Sequence, residues 1–211
     1  MAARRAYAGR TAEERDEQRR RQLLDAGLDV FGTTGFRTAT VRGLCREARV
    51  ADRSFYELYS TTEELLLDVY RDCVSRMMTA VTEAIAESEN SDDDIEPLAR
   101  RGLDAFFEVL SDRRVARVVW LEVLGVSDAV DAEYVTTMDE FGVLLLTQMQ
   151  ARNLRAAASP KASMFATAAV GGIRHTGTKW LLEGFVTERA DLVDACALFL
   201  VAVAAAAGEG S

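Results

Sequence analysis

A short segment of the chain carries side chains suited to the edges and phosphates of a DNA double helix. Arg53 can pair with a guanine edge, and the hydroxyls of Ser54 and Tyr56 can hold phosphate oxygens. These three side chains and Glu57 are expected to face outward, because the apolar residues of the same segment are needed for packing. The residue types therefore predict a short helix that enters a major groove.

Two short helices and a tight turn must position these side chains. Val41, Leu44, Cys45 and Ala48 recur at helical spacing and predict one buried face, with Thr40 as the N-cap. The arginines of this helix and the turn lie largely off that face: Arg42, Arg46 and Arg49.

The segment that follows, from Ala51 to Tyr59, is too short to be a stable helix alone and must be held by packing. Val50, Phe55 and Tyr59 are its natural anchors. Together, the two helices and the turn have the layout of a helix-turn-helix.

From Arg20 to about Tyr70 the sequence resembles the tetracycline-repressor (TetR) family of bacterial transcription regulators. The resemblance rests on the order and spacing of these features: a first helix ending at Phe31-Gly32, then Gly35-Phe36, Thr40-Val41, Phe55-Tyr56 with Tyr59, and Glu63-Glu64-Leu65. It implies that Thr40 and Tyr56 hold phosphates and that residues 51–54 contact bases. The predicted DNA-binding residues are Thr40, Arg42, Ala51, Asp52, Arg53, Ser54, Tyr56 and Glu57.

Three positions depart from the family pattern. Arg49 stands where many members have the turn glycine, so we expect a left-handed non-glycine backbone that costs about 1 kcal/mol. Ala51 replaces the usual hydroxyl cap and leaves Asp52 as a substitute at the helix N-terminus, although its charge repels phosphate. Thr62 replaces a common lysine, so one cationic contact with the DNA backbone is expected to be absent.

The charge of the chain is divided unevenly. Its 211 residues have a net charge of −9, but residues 1–60 carry +3 and residues 61–211 carry −12. One end can therefore meet phosphate while the other is repelled from it. We predict a basic arm and DNA-binding domain at residues 1–62 and a larger domain at residues 63–211.

The chain is predicted to be all-α, because it has two prolines and no convincing strand alternation. The first helix is expected to begin with a capping box at Thr11 and to bury Leu24, Leu28 and Phe31, and Thr61 with Glu64 is expected to form another box. About nine helices are predicted, the later ones near residues 62–86, 97–110, 112–124, 128–154, 160–183 and 187–207.

The last two predicted helices could form an interface. Small residues recur along the penultimate helix, and the last helix is apolar on nearly all sides, which requires burial by more than one neighbour. The family resemblance implies a four-helix interface in a homodimer, and the alternative is an intramolecular core.

Aromatic and methionine side chains between the fourth and eighth helices predict a largely apolar ligand cavity, or else plain core. Glu122, Arg174 and His175 could orient a ligand there. The predicted ligand-binding residues are Tyr70, Phe106, Trp120, Glu122, Tyr134, Met138, Phe141, Met164, Phe165 and His175.

The leading hypothesis is a homodimeric, cytoplasmic regulator, expected to be a repressor, that leaves a near-palindromic operator when a small apolar or amphipathic effector binds. The alternative is a ligand- or protein-binding module that has lost operator binding. An enzyme is not expected, since the chain has one histidine, three scattered cysteines and no phosphate-binding glycine loop. No metal, cofactor or membrane span is expected, and the longest apolar run, residues 195–207, is too short to cross a bilayer comfortably.

Overall fold

The computed structural model describes residues 12–86, 95–152 and 161–209. Within these ranges the chain forms nine α-helices and no strand, which confirms the predicted all-α class. The helices are α1 Ala12–Thr33, α2 Val41–Ala48, α3 Asp52–Leu58, α4 Thr62–Ala86, α5 Ile95–Leu110, α6 Arg113–Arg117, α7 Asp128–Ala151, α8 Ala162–Leu182 and α9 Arg189–Glu209. A 3-10 turn at Phe36–Thr38 and a π-helical segment at Val118–Glu122 complete the ordered elements.

The chain divides into two compact units between Val69 and Tyr70. This division lies inside α4, so that one helix supplies residues to both units. The domain boundary predicted from the sequence, after residue 62, falls at the first turn of the same helix.

Helix α1 packs through a face one position away from the predicted one. Leu23 and Phe31 are fully buried, whereas Leu24 and Leu28 are only half-buried. Gly27 lies between the two buried residues, and a Cβ there would be 2.7 Å from the Val69 side chain. Because Gly27 has no side chain, Val69 can pack directly against the backbone of α1 there. The buried face of α1 therefore runs through positions 23, 27 and 31. The predicted cap Thr11 lies outside the described residues.

The turn between α2 and α3 has the geometry that its sequence requires. The Thr40 hydroxyl accepts a hydrogen bond from the Gly43 amide at 3.1 Å, which confirms the predicted N-cap. Arg49 ends α2 in the left-handed region, with φ 57° and ψ 39°, as predicted. The Val50 amide donates to the Cys45 carbonyl at 3.0 Å, so the helix ends in a Schellman motif built on arginine rather than glycine.

The start of α4 confirms the predicted capping box, with a small variation. The Glu64 amide donates to the Thr61 hydroxyl at 3.2 Å. In return, the Glu64 carboxylate accepts from the Ser60 amide at 2.6 Å, one residue before the usual partner. Both bonds satisfy amides that a helix N-terminus otherwise leaves open.

The second unit consists of α5 to α9 and the rest of α4. Helix α5 begins at Ile95, two residues before the predicted start, and Pro97 is tolerated in its first turn because amides there have no acceptor within the helix. A single helix was predicted over 112–124, but the structure has the short α6 followed by the π-helical segment. The predicted cap Ser159-Pro160 of α8 lies outside the described residues.

Ion pairs join α5 to α9 at two levels. Arg100 pairs with Asp194, and Arg189 pairs with Glu108. One face of α9 is buried against the unit, including Leu192 and Ala197. No helix among the described residues is long and apolar enough to cross a membrane.

Candidate functional site

Helix α3 is docked by one side and exposed on the other. Phe55 is fully buried and Tyr59 nearly so, while Val50 is half-buried. The Tyr56 side chain between the two anchors is 62% exposed. The helix is too short to hold itself together, so these aromatic contacts fix which of its side chains face outward. Arg53, Tyr56 and Glu57 are exposed as predicted, whereas Ser54 is half-buried.

The outward face of α3 carries a network of charges. Arg53 is 90% exposed and donates from Nε to the Glu57 carboxylate at 3.0 Å. Arg19 of α1 donates to the other oxygen of Glu57 at 2.9 Å and to the Ser54 hydroxyl at 3.3 Å. Ser54 is consequently half-buried rather than fully outward. Glu57 thus holds two guanidinium groups on one surface.

This arrangement leaves the end of the Arg53 side chain available. Its Nε is engaged by Glu57, whereas its two terminal nitrogens have no partner among the described residues. A guanidinium held at Nε presents a flat pair of donors of the kind that binds guanine O6 and N7. Sequence reasoning found Arg53 and Glu57 but not the contribution of Arg19, since the contact with α1 spans 38 positions.

The other predicted DNA-binding residues lie at the two helix starts. Thr40 and Arg42 are exposed at the first turn of α2, and Ala51 is exposed before α3. Ala51 caps α3 without a side-chain hydrogen bond. Asp52 instead lies close to Cys45, where burial, followed by the Asp52 carboxylate, raises the pKa of the thiol to about 11.

Three arginines of α1 were candidates for contact with a DNA backbone, and each has an acidic partner. Arg19 is bound to Glu57 as described above, Arg20 pairs with Asp68, and Arg21 lies 3.5 Å from Glu17. Asp68 also accepts a hydrogen bond from the buried Tyr59 hydroxyl at 3.0 Å. Arg20 and Asp68 therefore brace α1 and the end of the α3 segment against α4. The arm at residues 1–10 lies outside the described residues.

All three cysteines are buried and reduced, as predicted for small core residues. Burial raises the pKa of Cys73 to about 12 and that of Cys196 to about 11. Because the reactive form of cysteine is the thiolate, thiol chemistry has no support at these positions.

The second unit contains a partly open apolar cavity of about 150 Å³. Its walls come from α4, α5, α7, α8, α9 and the π-helical segment, and its lining includes Met77, Val81, Leu98, Phe106, Val119, Trp120, Met138, Phe141, Leu145, Gln148, Phe165, Arg174 and Leu200. The π-helical segment brings Val119 and Trp120 to the wall, a use for which such irregular turns are common.

Five of the ten predicted ligand-binding residues line this cavity: Phe106, Trp120, Met138, Phe141 and Phe165. Four others lie elsewhere in the second unit. Tyr70 is fully buried outside the lining, Glu122 binds Arg117 at 2.7 Å, and both Met164 and His175 are exposed on α8. Helical spacing identified apolar residues correctly but did not show which side of α8 faces inward. The ligand contacts of all ten remain predictions.

The tenth predicted residue, Tyr134, lines a second cleft between α7 and α8, with a volume of about 370 Å³. Met138 and Arg174 line both spaces, so the cleft and the cavity share a wall. The Arg174 guanidinium lies 5.4 Å from the centre of the Tyr134 ring. Arg174 and Gln148 are lining residues absent from the predicted ligand-binding set, although the type of Arg174 had marked it as a residue able to orient a ligand.

Helix α9 also carries large apolar side chains on its outer face. Leu198 and Phe199 are exposed, and Leu182 and Val186 are exposed near the turn between α8 and α9. Phe199 lies beside Gly172 of α8, where a Cβ would be 3.4 Å from its ring. The sequence predicted an interface between two copies of the chain through these two helices; of the apolar residues of α9, Leu192 and Cys196 are buried within this unit, whereas Phe199 is exposed.

Comparison with known proteins bears on both units. Residues 23–69 match the family model for bacterial regulatory proteins of the tetR family. No curated protein matches the chain by sequence.

Solved structures give a longer match. The chain is similar to the fatty acid degradation regulator FadR from Bacillus halodurans, with 18% identity, a TM-score of 0.72, and coverage of 87% of this chain and 94% of that one. FadR from Bacillus subtilis in complex with stearoyl-CoA gives 18% identity, a TM-score of 0.69, and coverage of 86% and 97%. A tetR-family transcriptional regulator from Streptomyces coelicolor gives 15% identity and a TM-score of 0.73, with coverage of 92% of this chain and 84% of that one. At these identities the likeness establishes the fold.

Proposed function

We propose that this chain, whose residues 23–69 form a helix-turn-helix domain of the TetR family of bacterial regulatory proteins, is a ligand-responsive, homodimeric transcriptional regulator. The observation that carries the proposal is the outward face of α3, where Arg53 and Tyr56 are exposed while Phe55, which lies between them in sequence, is buried. The contacts of that face with DNA are those assigned above from residue types and from the family resemblance.

A homodimer is supported by the apolar outer face of α9. Leu198 and Phe199 expose hydrophobic surface that a second copy would cover, and α8 offers small residues beside them. A two-fold dimer presents two α3 helices to successive major grooves, about 34–36 Å apart or at multiples of that spacing, so the operator is expected to be a near-palindrome.

The effector is proposed to be a small apolar or amphipathic molecule in the cavity of the second unit. The cavity wall is almost wholly apolar, and the B. subtilis FadR structure holds stearoyl-CoA, which is itself an amphiphile. Met77, Val81 and Ile85 of α4 line the cavity, and the same helix begins in the DNA-binding unit. We propose that a ligand which favours a shifted α4 weakens operator binding about 5–150-fold, corresponding to repression that the effector relieves.

Changing Arg53 to Ala tests the base contact. We expect the variant to lose about 1–3 kcal/mol of discrimination at one base pair of each half-site, because the paired donors for guanine are removed. The measurement is selection of bound duplexes from a random-sequence library, followed by titration of the selected site. As a matched control, Arg37→Ala removes the same charge from the exposed 3-10 turn and should keep the base preference. A wild-type chain that selects no sequence favours the alternative function, a binding module without an operator.

Changing Glu57 to Gln tests the charge network on α3. Glu57 pairs with Arg19 and Arg53, but Arg19 is also paired with Asp16, so the variant chiefly frees Arg53. It is expected to bind random-sequence DNA more tightly and with a steeper salt dependence, by about one unit of slope. The measurement is DNA affinity by fluorescence anisotropy at salt concentrations between about 50 and 200 mM, where affinity depends steeply on the number of phosphate contacts. Glu47→Gln removes an equal charge from the exposed side of α2, where Glu47 forms no ion pair with Arg19 or Arg53, and should change the slope less. An unchanged slope in Glu57→Gln would mean that the freed Arg53 does not approach phosphate.

A further inference from the structure

The apolar cavity and the cleft between α7 and α8 lie side by side and share part of their lining. Met138, Ala166, Val170 and Arg174 line both spaces. Among the residues that line the cavity, Gln148 and Arg174 are the two with polar side chains, and the Gln148 oxygen already accepts a hydrogen bond from Arg152 at 3.1 Å. Arg174 is therefore the polar group at the junction between the two spaces.

Arg174 has no acidic partner among the described residues, in contrast to neighbouring arginines of the same unit. Arg71 binds Glu133 at 2.8 Å, and Arg117 binds Glu122 at 2.7 Å. The Arg174 side chain is half-buried, and its Nε is fully buried with no hydrogen-bond partner in the described part of the chain. The Tyr134 ring lies 5.4 Å from the guanidinium; burial raises the pKa of Tyr134, and the charge of Arg174 and its hydrogen bond to the Tyr134 side chain oppose that rise. Tyr134 is an uncharged partner, so the positive charge of Arg174 has no anion beside it among the described residues.

A half-buried guanidinium with an unsatisfied N–H is costly to keep, and an anion placed beside it would satisfy both the charge and the hydrogen bond. The cleft side of the junction adds the Ser163 hydroxyl, which can donate to an anion, whereas the Thr167 hydroxyl donates to the Ser163 carbonyl at 3.0 Å. The cavity side is lined almost wholly by apolar side chains, which suit a hydrocarbon.

We infer that the cavity holds the hydrocarbon tail of an anionic amphiphile, and that Arg174 pairs with the carboxylate or phosphate of its head at the mouth of the α7–α8 cleft. The inference rests on the proposed effector site and adds the charge and orientation of the effector. A neutral or cationic amphiphile of equal length leaves Arg174 unpaired, so the site selects against it.

The size of the cavity determines how long a hydrocarbon chain the test ligand should have. An engineered apolar cavity of about 150 Å³ in another protein accommodates benzene, so a short chain is appropriate here. The test is calorimetric titration of the full-length protein with octanoate, 1-octanol and octanoyl-CoA. Octanoate and octanol share one tail and differ in charge, whereas the thioester carries its charge on phosphates.

We expect octanoate or octanoyl-CoA to bind at least tenfold more tightly than octanol. In Arg174→Gln that preference is expected to disappear, and Arg174→Lys should restore part of it. Lys179→Gln is the matched control, because it removes a cation from the same helix where Lys179 is exposed beside Glu183. The tighter of the two anions identifies the head as carboxylate or phosphate.

The outcomes separate this inference from the proposed function. Equal affinity of the wild-type protein for octanoate, octanoyl-CoA and octanol overturns the role of Arg174 and leaves the effector cavity standing. No binding of any of the three, in protein that still binds DNA, overturns both the inference and the effector part of the proposed function. A preference for the anions that persists in both Arg174 variants also overturns the inference, since another group would then hold the head.

Discussion

Phe55→Ala is expected to destabilise the helix-turn-helix domain by about 3–5 kcal/mol, the usual cost of truncating a buried phenylalanine. Phe55 is fully buried, and its ring packs edge-on against Tyr56 and at a tilt against Tyr59, with centroids 5.5 and 5.7 Å apart. Because α3 is only seven residues long, it has little stability of its own to offset the loss. Faster hydrogen exchange of the amides in α2 and α3 measures the effect, and loss of DNA binding should accompany it.

Tyr56→Ala is the matched comparison for Phe55→Ala. The two residues are adjacent and aromatic, but Tyr56 projects outward, so its removal should leave hydrogen exchange in α2 and α3 nearly unchanged. DNA affinity should nevertheless fall about tenfold, because the phenol is assigned a phosphate contact. If both variants exchange at the wild-type rate, α3 is not held by Phe55. If Tyr56→Ala binds DNA as well as the wild type does, the outward face of α3 has been assigned wrongly.

Gly177→Ala is expected to destabilise the second unit by about 1–3 kcal/mol through overpacking and to reduce effector binding as well. A Cβ at Gly177 would lie 2.5 Å from Trp120 Cη2 and 3.1 Å from Phe107 Cε1. Both rings are buried, so neither can swing into solvent. Because Trp120 lines the cavity, moving its indole alters the wall that an effector contacts. Urea unfolding and titration with octanoate measure the two effects.

Gly171→Ala, on the same helix, is expected to increase the stability of the unit instead. A Cβ at Gly171 would meet no atom within 4 Å, so alanine adds helix propensity without a clash and should stabilise the unit by up to about 1 kcal/mol. Equal loss of stability in the two alanine variants would show that the effect comes from α8 itself and not from the contact of Gly177 with Trp120.

Local patterns in the sequence were sufficient for the caps and the turn of the helix-turn-helix. The Thr40 cap, the left-handed turn at Arg49 and the Thr61 capping box each depend on a few neighbouring residues, and all three are present in the structure. The anchoring of α3 by Phe55 followed from its length, since a helix this short must be packed to persist. Such features can be inferred without knowing where distant parts of the chain lie.

The face of α1 could not be inferred in the same way. Leu23 and Leu24 are adjacent and equally apolar, and the sequence favoured Leu24. The structure buries Leu23 instead, because Gly27 lets the Val69 side chain approach on that side. A choice between two overlapping apolar stripes depends on the shape of the partner helix, which no local pattern contains.

By itself, the sequence determined the helical class, the helix-turn-helix and the outward residues of α3, because hydrophobic spacing, caps and turn preferences act within about one or two helical turns. Tertiary structure alone decided which aromatic residues enclose the cavity, why Met164 and His175 face away from it, and how Arg19 meets Glu57 across 38 positions. It also decided that Arg174 stands without an acidic partner among the described residues at the mouth of the cleft. Those properties depend on the rotation and approach of whole helices, which are set by packing between residues far apart in the chain.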